Sequence, residues 1–328
     1  MTTLAAVDCG TNSIRLLISK VEVVDGVLEI TELHRLMEIV RLGEDVDATG
    51  RLAPAALERV RVALTTFVEL MQREKVAAVR MVATSATRDA ANREDFFAIT
   101  RELLAPWEVA AEVISGAEEA TLSFRGAVDD LHDSPEPFCV IDVGGGSTEV
   151  IVGEHDGTVY GSISVPMGSV RLTERFLHSS PPTEEQVLAA RAYVATLCAQ
   201  VREEVPVAKA RTVVGCAGTF TTLSALAQGL ETYDPAAIHL SLLRFEPLRA
   251  LTKSVVRSDA HSLAANPVMH PGRADVFAGG SLIVDGLMDM FDEVAAAGGQ
   301  RRDPSFFISE KDILDGIVAG LVDKHVPH

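Results

Sequence analysis

Cysteine is scarce in this chain, and the little there is lies scattered. The four cysteines, Cys9, Cys139, Cys198 and Cys216, form no CxxC pair, and the nine histidines form no HxxxH pair. Disulfides and a zinc site are therefore not expected. Three of the thiols lie in apolar, strand-like stretches, where a small buried side chain is the ordinary reading. Basic residues are in the minority: 29 Lys and Arg against 47 Asp and Glu leave a net charge of −18. A duplex nucleic-acid binder shows a basic face, so no nucleic-acid partner is expected. No apolar run approaches the roughly 18 residues that span a bilayer. No basic segment precedes the apolar residues 4–8 either, so neither a membrane partner nor a signal peptide is expected, and a cytoplasmic protein is. Two nucleotide signatures are also missing. There is no GKS or GKT of a P-loop, and the GGG run lacks the spacing of a dinucleotide fingerprint.

What is present repeats. A chain of 328 residues, 47% hydrophobic and 23% charged, can hold two ordinary globular domains. AAVDCGTNSIRLLI (5–18) and CVIDVGGGSTEVIV (139–152) align at a constant offset of 134 residues (142 − 8), which carries Asp8 onto Asp142, Gly10 onto Gly144 and Ser13 onto Ser147. Each copy reads as an apolar strand ending in Asp, a Gly-containing turn and a second strand. A further turn (Asp25-Gly26; Asp156-Gly157) and a third strand follow. VRMVATSATRDA (79–90) then matches RTVVGCAGTFTT (211–222), and the segment 107–128 matches 305–321 as short strand, Ser and helix. The stretch 55–74, with Leu57, Val60, Leu64, Phe67 and Met71 at steps of three and four after Pro54, reads as an amphipathic helix. The reading is an α/β chain of two duplicated domains, 1–128 and 129–328, joined by the polar, proline-bearing stretch 129–137. The C-terminal helix, 310–326, is free to pack back on the first domain.

A turn that cradles phosphate needs consecutive backbone N–H groups pointing into one concavity, built of glycine or small residues. Gly144, Gly145, Gly146, Ser147 and Thr148 supply one such turn, and Gly10, Thr11, Asn12 and Ser13 supply a second. Facing each other across a central cleft, the two would grip successive phosphates of one ligand. Asp142 and Glu149, on adjacent strands of one hairpin, suit a hard cation such as Mg²⁺, which takes one or two carboxylates and completes its shell with water and phosphate. Strand-end aspartates also commonly bond turn amides, and that alternative stays open.

These motifs resemble the phosphate-1 and phosphate-2 motifs of the acetate kinase/Hsp70/actin superfamily. VDCGTNSIRLLI and VIDVGGGSTEV, with ATSATRDAAN (83–92), ISGAEEATLSFRGAV (114–128) and VPMGSVRLTERF (165–176), look more narrowly like the exopolyphosphatase/guanosine pentaphosphate phosphohydrolase family, in its short two-domain form. The resemblance covers essentially the whole chain. It implies two ribonuclease H-like (actin-like) domains and a glutamate general base in the SGxEEA segment, which here is Glu119. A capping box from Ser115 to Glu118 agrees, because it ties Glu118 to the helix start and leaves Glu119 to project. Both glutamates serving only the helix dipole is the alternative. Arg88 resembles a phosphate-holding arginine of the ATSATRDA segment; an exposed arginine at a helix start is the bland alternative. Arg249, Lys253 and Arg257 share one face if their stretch is helical, either guiding a polyanion or simply solvated. FAGGSLIVDGL (277–287) resembles the superfamily's adenosine motif.

The resemblance thus implies an exopolyphosphatase. Water attacks the terminal phosphoryl group of inorganic polyphosphate, Glu119 accepts the proton, and Mg²⁺ (or Mn²⁺) sits on Asp142 and Glu149 with help from Asp8. Guanosine pentaphosphate is the rival substrate. A kinase of the same superfamily and a non-catalytic polyphosphate or nucleotide sensor are the rival classes. Two-domain proteins of this type often self-associate, so a homodimer is among the expectations, although no decisive apolar stripe stands out.

Overall fold

The computed structural model describes residues 1–298 and 304–326. The chain divides into two compact units, the first made of Met1–Gly126 with Ile313–His328 and the second of Ala127–Asp312.

The first unit carries β1 (Thr2–Cys9), β2 (Ser13–Val24), β3 (Val27–Ile39), β4 (Ala78–Ala83) and β5 (Glu112–Val113). They form one sheet in the order β3-β2-β1-β4-β5. The hairpin β2–β3 closes on Asp25 and Gly26, both at positive φ (52° and 82°), the twist that a two-residue antiparallel loop requires. β4 lies parallel to β1, and the connection between them runs through the helix Pro54–Arg73. Pro54 opens that helix without a wasted donor, and Leu57, Val60, Leu64, Phe67 and Met71 are its buried stripe.

Alternation along β1 separates two cores. Ala5, Val7 and Cys9 pack with the helix Pro54–Arg73 and its neighbours, whereas Leu4 and Ala6 face the other side with Leu122, Ile313, Ile317 and Leu321. A strand apolar on both faces is a strand covered on both faces. The second cover comes from the helix Ile313–His325, which returns from the far end of the chain. Two bidentate ion pairs fix it: Arg35 to Asp315 at 2.7 and 3.2 Å, and Arg125 to Asp323 at 2.7 and 3.2 Å.

The second unit carries β6 (Phe138–Val143), β7 (Thr148–Gly153), β8 (Val159–Val165), β9 (Thr212–Cys216), β10 (Leu242–Arg244) and β11 (Ser305–Ile308). Their order is β10-β11-β9-β6-β7-β8. Apart from the extra edge strand β10, this is the order of the first sheet. Antiparallel β6–β7–β8 and parallel β6–β9 repeat the pairings of β1–β2–β3 and β1–β4. Cys139, Ile141 and Val143 point into a core roofed by the helices Glu184–Glu204, Ala217–Ala227, Phe245–Val256 and Phe277–Gly298. All four cysteines are buried thiols outside any disulfide, and burial pushes the thiols of Cys139 and Cys198 up to about 12.

One surface feature was not visible in the pattern of the sequence. Val23, Val24, Val27, Leu28, Ile30, Leu33 and Leu36, all around the β2–β3 hairpin, are exposed. The edge position of β3 accounts for it, since among the described residues no further strand pairs with β3 on its outer side.

Ile317 is fully buried in the core beneath the returning helix. Ile317→Ala is expected to destabilise the protein by about 2–5 kcal/mol, whereas Val62→Ala, at an exposed site, should change stability by less than about 0.5 kcal/mol. Chemical denaturation of the two variants side by side checks this.

Candidate active site

The second unit builds its Gly-rich turn by tying down one side of three successive peptides. Gly144 N–H donates to the Ser147 carbonyl at 3.0 Å, which closes the turn. The other carbonyls are taken by the segment that begins the helix Ser169–Phe176. Ser169 N–H donates to Gly144 O at 3.0 Å, and Val170 and Arg171 N–H donate to Gly145 O at 2.9 and 3.1 Å. Arg171 Nε donates to Gly146 O at 2.8 Å. A trans peptide is planar, so its N–H points opposite to its carbonyl. The N–H groups of Gly145, Gly146 and Ser147 are therefore turned away from the helix, and none has a partner within the protein among the described residues. Three amides aimed the same way are the arrangement that backbone anion sites use.

The approach of the two segments is close enough to demand glycine behind the turn. A Cβ on Gly168 would lie 2.3 Å from the carbonyl carbon and oxygen of Gly145 and 2.4 Å from Gly146 N.

The first unit repeats the device with different material. Gly10 N–H donates to Ser13 O at 2.9 Å, the same bond at the same offset. Val40 and Arg41 N–H hold Asn12 O at 3.0 and 2.8 Å, and Gly43 N–H holds Thr11 O at 2.8 Å. The N–H groups of Asn12 and Ser13 belong to those two peptides and are turned outward in the same sense. A Cβ on Gly43 would lie 2.3 Å from Thr11 Cγ2, a side-chain contact where Gly168 meets backbone. The turn's backing here is the end of β3, not a helix.

Thr148 corrects the sequence reading. It is fully buried, and its hydroxyl donates to the Met167 carbonyl. Its side chain braces the segment behind the turn instead of lining the concavity.

The carboxylates sort by unit. Asp142 lies directly opposite Glu149 in the β6–β7 register, so both side chains leave the same face of the sheet. Both are buried, and Glu149 Oε1 accepts from Ser164 Oγ at 2.6 Å across β7–β8. In the first unit the corresponding pair is Asp8 and Arg15. Asp8 Oδ2 accepts from Arg15 Nε at 3.1 Å and Nη2 at 2.7 Å. One copy thus pairs an acid with a base, and the other sets two acids side by side, where like charges repel unless a cation joins them. Among the described residues no three or more His, Cys, Asp or Glu side chains cluster as a metal cage. Two carboxylates fit Mg²⁺, which leaves the rest of its shell to water and phosphate. Arg15 escaped the sequence reading, although the 134-residue offset places it on Glu149 and marks the divergence.

Glu119 lies in the first turn of the helix Gly116–Ala127. Ser115 Oγ accepts from Glu118 N–H at 3.2 Å, the cap that the sequence suggests. The return half of the box is not made. Glu118 instead reaches Arg80 on β4 at 2.6 Å, because a guanidinium within reach outcompetes a neutral amide for a carboxylate. Glu119 is only 8% exposed, and its Oε2 accepts from Arg88 Nη1 at 2.7 Å. Arg88 also donates to Ile114 O at 3.0 Å. The sequence assigned Arg88 and Glu119 separate duties; the structure brings them together. Arg249, by contrast, pairs with Asp289 and Asp292 at 2.6 and 2.7 Å, so it belongs to the helix-helix packing of the second unit.

The profile of the Ppx/GppA phosphatase family matches residues 19–298. Exopolyphosphatase 2 of Mycobacterium tuberculosis is 50% identical over 323 residues, covering 98% of this chain and 99% of its own length. Among solved structures, an exopolyphosphatase-like protein superposes with a TM-score of 0.90 at 39% identity over 98% of this chain and 99% of its own. The Ppx/GppA family member of Aquifex aeolicus does so with a TM-score of 0.79 at 27% identity over 100% and 99%.

Gly168→Ala forces the added methyl into the turn backbone. It is expected to cost about 1–3 kcal/mol of stability and to weaken binding of inorganic phosphate at least about tenfold. Calorimetric titration of both proteins with phosphate measures the second effect, and unchanged affinity would remove the turn from anion binding.

Proposed function

Since the chain belongs to the Ppx/GppA phosphatase family, we propose that this phosphatase is an exopolyphosphatase, which releases the terminal phosphate of inorganic polyphosphate by hydrolysis, one residue at a time, in the cytoplasm. The observation that carries the reading is the duplicated turn. Each unit holds a set of outward amides, and inorganic polyphosphate is built only of the group that such amides bind. The 50% identity to a relative named exopolyphosphatase supports the same substrate class.

In this reading water attacks the terminal phosphorus in line, and Glu119 accepts its proton as general base. Arg88, bonded to Glu119 Oε2, fixes the orientation of that carboxylate. The amides of the turns at Gly10 and Gly144 bind phosphate oxygens and hold the chain still during attack. Asp142 and Glu149 would hold Mg²⁺, which when bound offsets charge on the phosphates. Asp8, held by Arg15, contributes its negative charge beside the first turn without leaving its ion pair.

Hydrolysis of guanosine pentaphosphate is the second reading, and the 50% identity to a relative named exopolyphosphatase favours polyphosphate over it.

Phosphate release measured side by side on long-chain polyphosphate and guanosine pentaphosphate is expected to favour polyphosphate in kcat/KM by at least about tenfold. The reverse order would replace the substrate named above. Glu119→Gln is expected to lower kcat at least about a hundredfold while leaving substrate affinity within a few fold. Wild-type turnover in that variant would take the general-base role away from Glu119.

A further inference from the structure

Of the three peptides whose carbonyls are held behind the second-unit turn, two are fixed by backbone and one by a side chain. Gly144 O and Gly145 O are bonded by main-chain N–H groups at the start of the helix Ser169–Phe176, and these bonds persist whatever the side chains are. Gly146 O is bonded by Arg171 Nε. The peptide so fixed is the one that carries Ser147 N–H. Gly146 has no Cβ to resist rotation of that peptide. Without the guanidinium, the Gly146 carbonyl can turn toward the concavity, where it would repel an anion and withdraw one of the three donors.

We infer that Arg171 is a positioning residue for phosphate binding: by holding Gly146 O from behind, it aims Ser147 N–H at the anion. This rests on the phosphate reading of the turn. It also gives the VPMGSVRLTERF segment a specific task. Thr148 anchors it at Met167, Gly168 lets it approach, Ser169 and Val170 fix two peptides, and Arg171 fixes the third. The same logic marks a difference between the units, since the first-unit turn is held by main-chain donors at Val40, Arg41 and Gly43.

The test uses the full chain and two variants, Arg171→Met, which keeps the apolar stem and loses every donor, and Arg171→Lys, which keeps a donor on a different geometry. Affinity for inorganic triphosphate is measured by calorimetry in EDTA, so that no turnover intervenes. The Ser147 amide resonance is followed in the free protein by nitrogen-edited NMR. The expected result is a Kd raised about tenfold in Arg171→Met, with partial recovery in Arg171→Lys, and a displaced Ser147 resonance before any ligand is added. An unchanged Kd overturns the proposal. A raised Kd with an unmoved Ser147 resonance also overturns it, because Arg171 would then act on the anion directly. Wild-type protein that binds no triphosphate would count against the functional reading instead. The Ser147 resonance then judges Arg171 by itself, and an unmoved one overturns its role. Should Arg171→Met fail to fold, Arg171→Lys carries both measurements, with a smaller rise in Kd and the same displaced resonance expected.

Discussion

A peptide plane cannot present its carbonyl and its N–H to the same side. Most of what distinguishes this molecule follows from that constraint. A row of amides can be offered to an anion only if the matching row of carbonyls is satisfied elsewhere, since buried carbonyls left without donors cost free energy. The turn at Gly144 meets the condition with the start of a helix, and the turn at Gly10 meets it with the end of a strand. Glycine is needed at 168 because the satisfying segment must come within contact of the turn backbone, and at 43 a side chain would run into that of Thr11. Each turn is thus shaped from behind.

The strand-turn-strand unit was readable because its signals are local. Asp at a strand end, glycine in the turn, and apolar alternation over Leu4, Ala5, Ala6 and Val7 all act within a few residues, and the duplication doubled them. The helix Pro54–Arg73 was readable for the same reason. What backs each turn was not. Val40–Gly43 and Met167–Arg171 lie some thirty and twenty residues beyond their turns, and the two segments share no pattern, one being strand end and the other helix start. Nothing in a spacing rule announces that Arg171 will reach a carbonyl of Gly146. Thr148 was misassigned for a related reason: a hydroxyl beside a phosphate turn looks like a ligand group until its burial is known.

Charge partners were the other limit. Sequence placed Glu118 on its own helix start, but Arg80, from a strand nearly forty residues earlier, offers a stronger bond. Likewise Arg88 and Glu119 were legible as separate charges, and only the fold makes them a pair. The divergence between Asp8–Arg15 and Asp142–Glu149 lies between these cases. It is written in the aligned repeat, yet its meaning depends on knowing that the two positions are directly opposite across a hairpin. The duplicated scaffold thus carries an acid facing a base in one copy and two facing acids in the other.

The returning helix Ile313–His325 has a consequence for how the chain is made. Its apolar face completes the core around Leu4, Ala6 and Leu122, so the unit whose strands leave the ribosome first is the last to be finished. Ile313 follows Leu122 by 191 positions (313 − 122), which at about 5–20 residues per second amounts to roughly 10–40 s of synthesis. For that interval one face of β1 lacks its cover, while the described elements of the second unit all lie within Ala127–Asp312 and are made before the C-terminal helix. During translation the order of completion therefore runs opposite to the order of emergence, and the nascent first unit is the form of this protein that a chaperone would meet.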